Sequence, residues 1–114
     1  EALNNRAITQ AALGEVDAAF EDFRLALSLM PTNGDIWNNR ANLNCSNGRF
    51  AEALQDRTQA LYTGRFTAGA AQAGLRKSGH YSGPADGIWG TDSEEALKAW
   101  TDDGCPDAPR TRLL

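Results

Sequence analysis

"LNNRAITQAALGEVDAAFEDFRLALSLMP" (3–31) decides the fold, because the chain writes a variant of it again as "WNNRANLNCSNGRFAEALQDRTQALYTGR" (37–65) at a constant offset of 34. Asn4-Asn5-Arg6-Ala7 falls on Asn38-Asn39-Arg40-Ala41. Gly14 falls on Gly48, Val16 on Phe50, Ala19 on Ala53, and Ala26-Leu27 on Ala60-Leu61. A fixed period of this length, with small and large apolar residues in matched places, marks a stacked-repeat architecture.

Each repeat reads as two helices. Gly14 and Gly48 stand between them, where a residue in the left-handed region ends the first helix. Val16, Ala19, Phe20, Phe23, Ala26 and Leu27 recur at helical spacing along the second. "MPTNGD" (30–35) then breaks the chain before the next repeat. The alanines at Ala7, Ala19 and Ala26 let paired helices approach closely.

These features resemble the tetratricopeptide repeat family. The shared marks are the period, the large residue opening each first helix (Leu3, Trp37), the small Ala7 and Ala41, the inter-helix glycines, the alanine pairs and Pro31. The second repeat departs at Arg65, where proline is usual, and at Arg57, where an aromatic is common. The resemblance covers about 1–66, as repeats 1–33 and 34–66. It implies a right-handed helical array that binds a peptide or protein on a concave face, and it implies no chemistry. On that face it places Asn4, Asn5, Ile8, Asn38, Asn39, Asn42 and Cys45. Asparagine can pair with a peptide backbone as both donor and acceptor, or can simply cap and solvate the helices. The basic clamp that some family members use for a carboxylate is not expected, because Asn4 and Asn38 stand in the lysine-type position.

Two repeats are few, since roughly three are needed before stacked faces bury each other. The second repeat must therefore be covered by further repeats, by the C-terminal segment, or by a partner.

Beyond "TGRFTAGA" (63–70) the register is lost. "AGAAQAGLRKSG" (68–79) reads as a glycine-weakened helix held by Ala71 and Leu75, with Gly79 as its stop. "HYSGPADGIWG" (80–90) is dense in turn formers, and Ile88 or Trp89 should anchor it in a core. Ser93 reads as the N-cap of the next helix, with Glu94 and Glu95 in its first turn and Ala96, Leu97 and Trp100 as its apolar stripe.

This second half resembles the peptidoglycan-binding-like domain of bacterial cell-wall proteins. The matching residues are Gln72, Leu75, Gly79, Tyr81, Gly83, Pro84, Asp86, Gly87, Trp89, Gly90, Ser93, Ala96, Leu97 and Trp100. "APRTRLL" (108–114) loosely fits the family's third helix. Ser78, His80 and "TDDGC" (101–105) depart from its pattern. The resemblance covers 67–114 and implies a small three-helix, non-catalytic domain. Tyr81, Asp86 and Trp89 are its candidates for contact with a glycan or partner, with Trp89 alternatively a core plug.

Composition narrows the function further. The chain has 114 residues and a net charge of −4, with 5 basic and 8 acidic side chains in 1–64 and 6 and 7 in 65–114. No basic patch exists to track phosphates or anionic lipid. No apolar run reaches the ~18 residues of a membrane helix. The start lacks a basic n-region and an apolar h-region but opens inside a helical pattern, so an incomplete or processed N-terminus is expected. One histidine and two distant cysteines make no zinc site, and no cofactor loop is present. His80 lacks a visible nucleophile and orienting acid, and Asp92, Glu94 and Glu95 suit a helix N-terminus. No enzyme, metal or cofactor is therefore expected.

The fold class expected is all-α: two repeats followed by a three-helix domain. In one functional reading, the repeats recruit a protein while the C-terminal domain binds peptidoglycan, in a bacterial periplasm. In the other, both halves are protein-binding surfaces of an accessory or assembly subunit in a larger membrane-associated complex, in a lumen such as the thylakoid's. Cys45 and Cys105 are either independent thiols or a disulfide. Both readings lie outside a reducing cytosol, and there a Cys45–Cys105 link is expected to fix the two halves together.

Overall fold

The computed structural model describes residues 2–63 and 68–105, and among them every regular element is a helix. These are α1 (Ala2–Ala12), α2 (Val16–Leu29), α3 (Gly34–Ser46), α4 (Phe50–Tyr62), α5 (Ala68–Lys77) and α6 (Thr91–Asp102). The region 108–114, expected to carry a third C-terminal helix, lies outside the described residues.

The 34-residue offset is reproduced in three dimensions down to single hydrogen bonds. Gly14 and Gly48 have φ of 82° and 72°, a region that side chains rarely enter. Just beyond them, the Glu15 N–H donates to the Gln10 carbonyl at 2.8 Å, and the Arg49 N–H donates to the Asn44 carbonyl at 2.9 Å. These bonds close each first helix and reverse the chain into the second, giving the hairpins α1–α2 and α3–α4.

The hairpins stack because neither can bury its own apolar face. Ala7, Ala19, Phe23 and Ala26 are fully enclosed, and Ile36 and Leu43 of α3 close the same cluster from the next repeat. The junction is fixed at its start. The Asn33 side chain caps α3 by accepting from the Asp35 and Ile36 N–H groups, and the Trp37 indole donates to the Pro31 carbonyl at 2.8 Å. A side-chain oxygen satisfying those first-turn donors is worth roughly 1 kcal/mol.

The C-terminal segment covers the second repeat. Helix α6 packs on both α4 and α5. Leu75, Ala96 and Leu97 form a cluster with Leu54 and Leu61 of α4 against them. A second cluster joins Cys45, Ala53 and Cys105 beneath Phe50 and Trp100. Cys45 and Cys105 are bonded to each other, 60 residues apart in sequence. Helix α5 ends at Lys77, followed by Gly79 at φ 85°, with the His80 N–H donating to the Leu75 carbonyl at 2.9 Å.

Two local expectations are corrected. Ser93 is not the N-cap of α6: that helix begins at Thr91 after Gly90, and Ser93 is buried at 1% exposure. Its hydroxyl instead accepts from the Gln72 amide. Ile88 does not anchor the loop, since it is 73% exposed; half-buried Trp89 does, packing with Tyr81 against the C-terminal cluster.

Candidate interaction surfaces

Each hairpin is clamped internally by the same ion pair at the repeat offset. Arg6 donates from Nε and Nη2 to Asp22 at 2.6 and 2.9 Å, and Arg40 does the same to Asp56 at 2.9 and 2.8 Å. Bidentate pairing of this kind fixes geometry as well as adding energy. Arg6 holds the Asp22 carboxyl below the usual carboxylate range through its hydrogen bonds. In repeat two Asn44 adds a third donor to Asp56 at 2.9 Å. Arg6/Arg40 and Asp22/Asp56 both obey the repeat offset, so the signal for these pairs lies in the sequence once the acids are set in register with the arginines.

The residues expected on the partner-binding face are placed differently from one another. Asn39 lies in the stacking interface, 2% exposed, with its Nδ2 donating to Asn4 Oδ1 of the preceding repeat at 3.3 Å. Ile8 is half-buried against the first core. Asn38 and Asn42 both accept from Arg57 at 2.6 Å, and Asn42 is 2% exposed. Asn5 is exposed. It is the offset mate of Asn39 and so occupies on α1 the face that α3 uses for stacking. Cys45 is covered by Cys105 and its cluster.

Arg57 occupies the position of Phe23 one repeat earlier. Its guanidinium lies over the Trp100 ring, 4.9 Å from the centroid. Burial pulls its pKa down to about 10, partly offset by Asp56, so it remains cationic at neutral pH. A pocket of about 350 Å³ opens beside it, between the second repeat and α5–α6.

In the C-terminal unit Gln72 organises the turn-rich loop. It is fully buried; its Nε2 donates to the Ile88 carbonyl at 2.8 Å and to Ser93 Oγ at 2.9 Å, and its Oε1 accepts from the Gly87 N–H at 3.0 Å. The candidate contact residues serve the same loop. Asp86 accepts from the Ile88 N–H at 3.0 Å, and the Tyr81 hydroxyl donates to the Pro84 carbonyl at 3.1 Å. The Tyr81 ring folds over Gly83 so closely that a Cβ there would lie 2.5 Å from the phenol oxygen.

His80 has the neighbours that its sequence context did not reveal. Ser78 Oγ lies 2.8 Å from Nδ1, and Asp103 Oδ2 lies 2.6 Å from Nε2. The Ser78 hydroxyl is also 2.9 Å from the Leu75 carbonyl, its acceptor at the end of α5. The trio ties that helix end to the end of α6. Among the described residues no group of three or more His, Cys, Asp or Glu is placed to hold a metal ion, and no helix is long and apolar enough to cross a membrane.

With this geometry in place, comparison with known families is informative at one point. A tetratricopeptide repeat model matches residues 23–55. That span runs from the second half of α2 through α3 into α4, across the junction where the two hairpins stack. No curated protein and no solved structure matches the chain. Among the described residues the protein is all-helical, built of two paired-helix repeats that are similar over 23–55 to the tetratricopeptide repeat, and the second repeat is covered by α6.

Proposed function

We propose that this protein is a non-enzymatic interaction scaffold whose repeats receive a protein partner and whose C-terminal helices α5 and α6 brace the end of the array. The observation that carries this is the match at 23–55, centred on the stacking junction of two hairpins that share an ion pair at the repeat offset. Helical arrays of this kind build extended surfaces rather than reaction centres. Asn5, exposed on α1, is the candidate taken for contact with that partner.

The wall-binding reading finds less support. Asp86 and the Tyr81 hydroxyl are engaged within the loop, and Trp89 packs half-buried in the core. We favour an accessory subunit of a larger complex. The disulfide fits an oxidising compartment, periplasmic or luminal.

Affinity purification of the tagged chain, without reductant, tests the scaffold reading. A stoichiometric protein partner is expected, with Asn5→Arg reducing its recovery. Absence of any such partner would remove the reading. Pelleting with insoluble cell-wall material, abolished by Trp89→Ala, would instead restore the glycan reading.

A further inference from the structure

The two repeats permit an internal comparison at one position, fully enclosed in the first repeat and half-buried in the second. Repeat one places Phe23 in its core, fully enclosed and in the same cluster as Ile8. At the same offset repeat two places Arg57 beside Asn42. An apolar pair has thus become a polar, cationic one, while the surrounding hairpin keeps its form.

Taking a cation partly out of water in place of a phenyl ring is costly, and hydrophobic replacement of such charges is often neutral or stabilising. Repeat one shows that the hairpin can be built with phenylalanine here. Nor is the charge neutralised: among the described residues no carboxylate lies within ion-pair distance of Arg57, because Asp56 is taken by Arg40 and Asn44. Among the described residues, Arg57 Nη1 and Nη2 hydrogen-bond to amide oxygens and approach a distant sulfur, and Nε is sealed without a hydrogen-bond partner.

The pocket of about 350 Å³ beside this group is walled by Leu61, Leu75, Leu97 and Trp100, with Lys77 also lining it and, among the described residues, no acidic side chain in its lining. That is room for about a dozen water-sized groups, at roughly 30 Å³ each. An apolar cavity with a few convergent polar groups is the usual form of a small-molecule site. Arginine is the cation suited to a carboxylate in such surroundings, being weakly hydrated and planar.

We propose that this pocket binds a small monocarboxylate with an apolar body, its anionic group facing Arg57 and its hydrocarbon part lying among Leu61, Leu75, Leu97 and Trp100. The site lies between the repeats and the C-terminal unit, so an occupant would bridge them. It is independent of the partner surface on α1.

The test uses the full, oxidised chain and octanoate as probe, followed by titration calorimetry, with octanol and octylamine as uncharged and cationic controls. Saturable octanoate binding is expected, with the controls at least about tenfold weaker, the loss of one charge-assisted contact. Two variants separate the site from the fold. Arg57→Phe with Asn42→Ile installs the side chains of repeat one, and should unfold no earlier than the parent while losing octanoate affinity about tenfold or more. Gly74→Leu projects into the pocket from α5, at a position where an added Cβ meets nothing within 4 Å, and should block binding with Arg57 intact. No binding by the parent chain, equal binding of octanoate and octanol, or unchanged affinity in both variants would each overturn the proposal. A free peptide C-terminus, such as acetyl-Ala-Ala-Leu, binding where octanoate does not would overturn the small-molecule assignment.

Discussion

Reducing the Cys45–Cys105 bond should destabilise the protein by about 4 kcal/mol. The bond closes a loop with a sequence separation of 60. In the chain-entropy description, cross-linking removes roughly 2.1 + 1.5R ln n cal/mol/K from the unfolded ensemble; for n near 60 this is about 14 cal/mol/K, or about 4 kcal/mol at 25 °C. The estimate is direct here because both cysteines are buried, at 5% and 2% exposure. Reduction leaves two small thiols in an apolar cluster with Ala53, Phe50 and Trp100, so the native packing changes little. Urea denaturation of the oxidised and dithiothreitol-reduced chain measures the difference. In a thermal scan it corresponds to a Tm lower by roughly 15–30 °C for a domain of about this size. A difference under about 1 kcal/mol would refute the reasoning, as would alkylation of both cysteines in the folded, unreduced protein. Cys45→Ala with Cys105→Ala checks the same quantity without reductant and should lose slightly more, through the volume removed from the cluster.

Three further outcomes are expected. Gln72→Leu should cost roughly 2–4 kcal/mol in urea denaturation and speed proteolysis of residues 79–90, because buried Ser93 loses its donor while the Gly87 and Ile88 backbone groups must turn to water. Gly83→Ala should lower Tm and raise tyrosine accessibility, since the Tyr81 ring must leave its place over residue 83. Asp22→Asn should flatten the acid limb of the stability curve: the depressed Asp22 pKa gives stability that is present above the usual carboxylate range and lost as pH falls through the folded value, so parent and variant should converge at low pH in urea titrations.

The helices of the array were legible because their determinants are local. Gly14, Gly48 and Gly79 need positive φ, and the apolar spacing of α2 sets its buried face, so these elements stand where the pattern puts them. What sequence reading missed is carried by side chains that meet across helices. Ser93 has the chemistry of an N-cap, yet its hydroxyl is taken by Gln72, 21 residues away, and α6 begins two residues earlier. His80 looked isolated because one of its neighbours, Asp103, lies 23 residues downstream. Local propensity holds no record of such contacts; only the packing of α5 against α6 creates them.

The repeat itself offered a way past that limit, and Arg57 shows how far it reaches. Comparing one repeat with the other puts Arg6 and Arg40, and then Asp22 and Asp56, in register, so both interhelical ion pairs could have been read from sequence. The same comparison puts Arg57 on Phe23. At first this departure weakens the repeat pattern. In three dimensions it is where the second repeat differs in chemistry from the first while keeping its form: a cation stacked on Trp100 with, among the described residues, no carboxylate at ion-pair distance and no acid lining the pocket beside it. Agreement between repeats thus marks what the fold requires. Disagreement at a position that the first repeat buries completely, where mutual packing allows few substitutions, points to what the fold does not require.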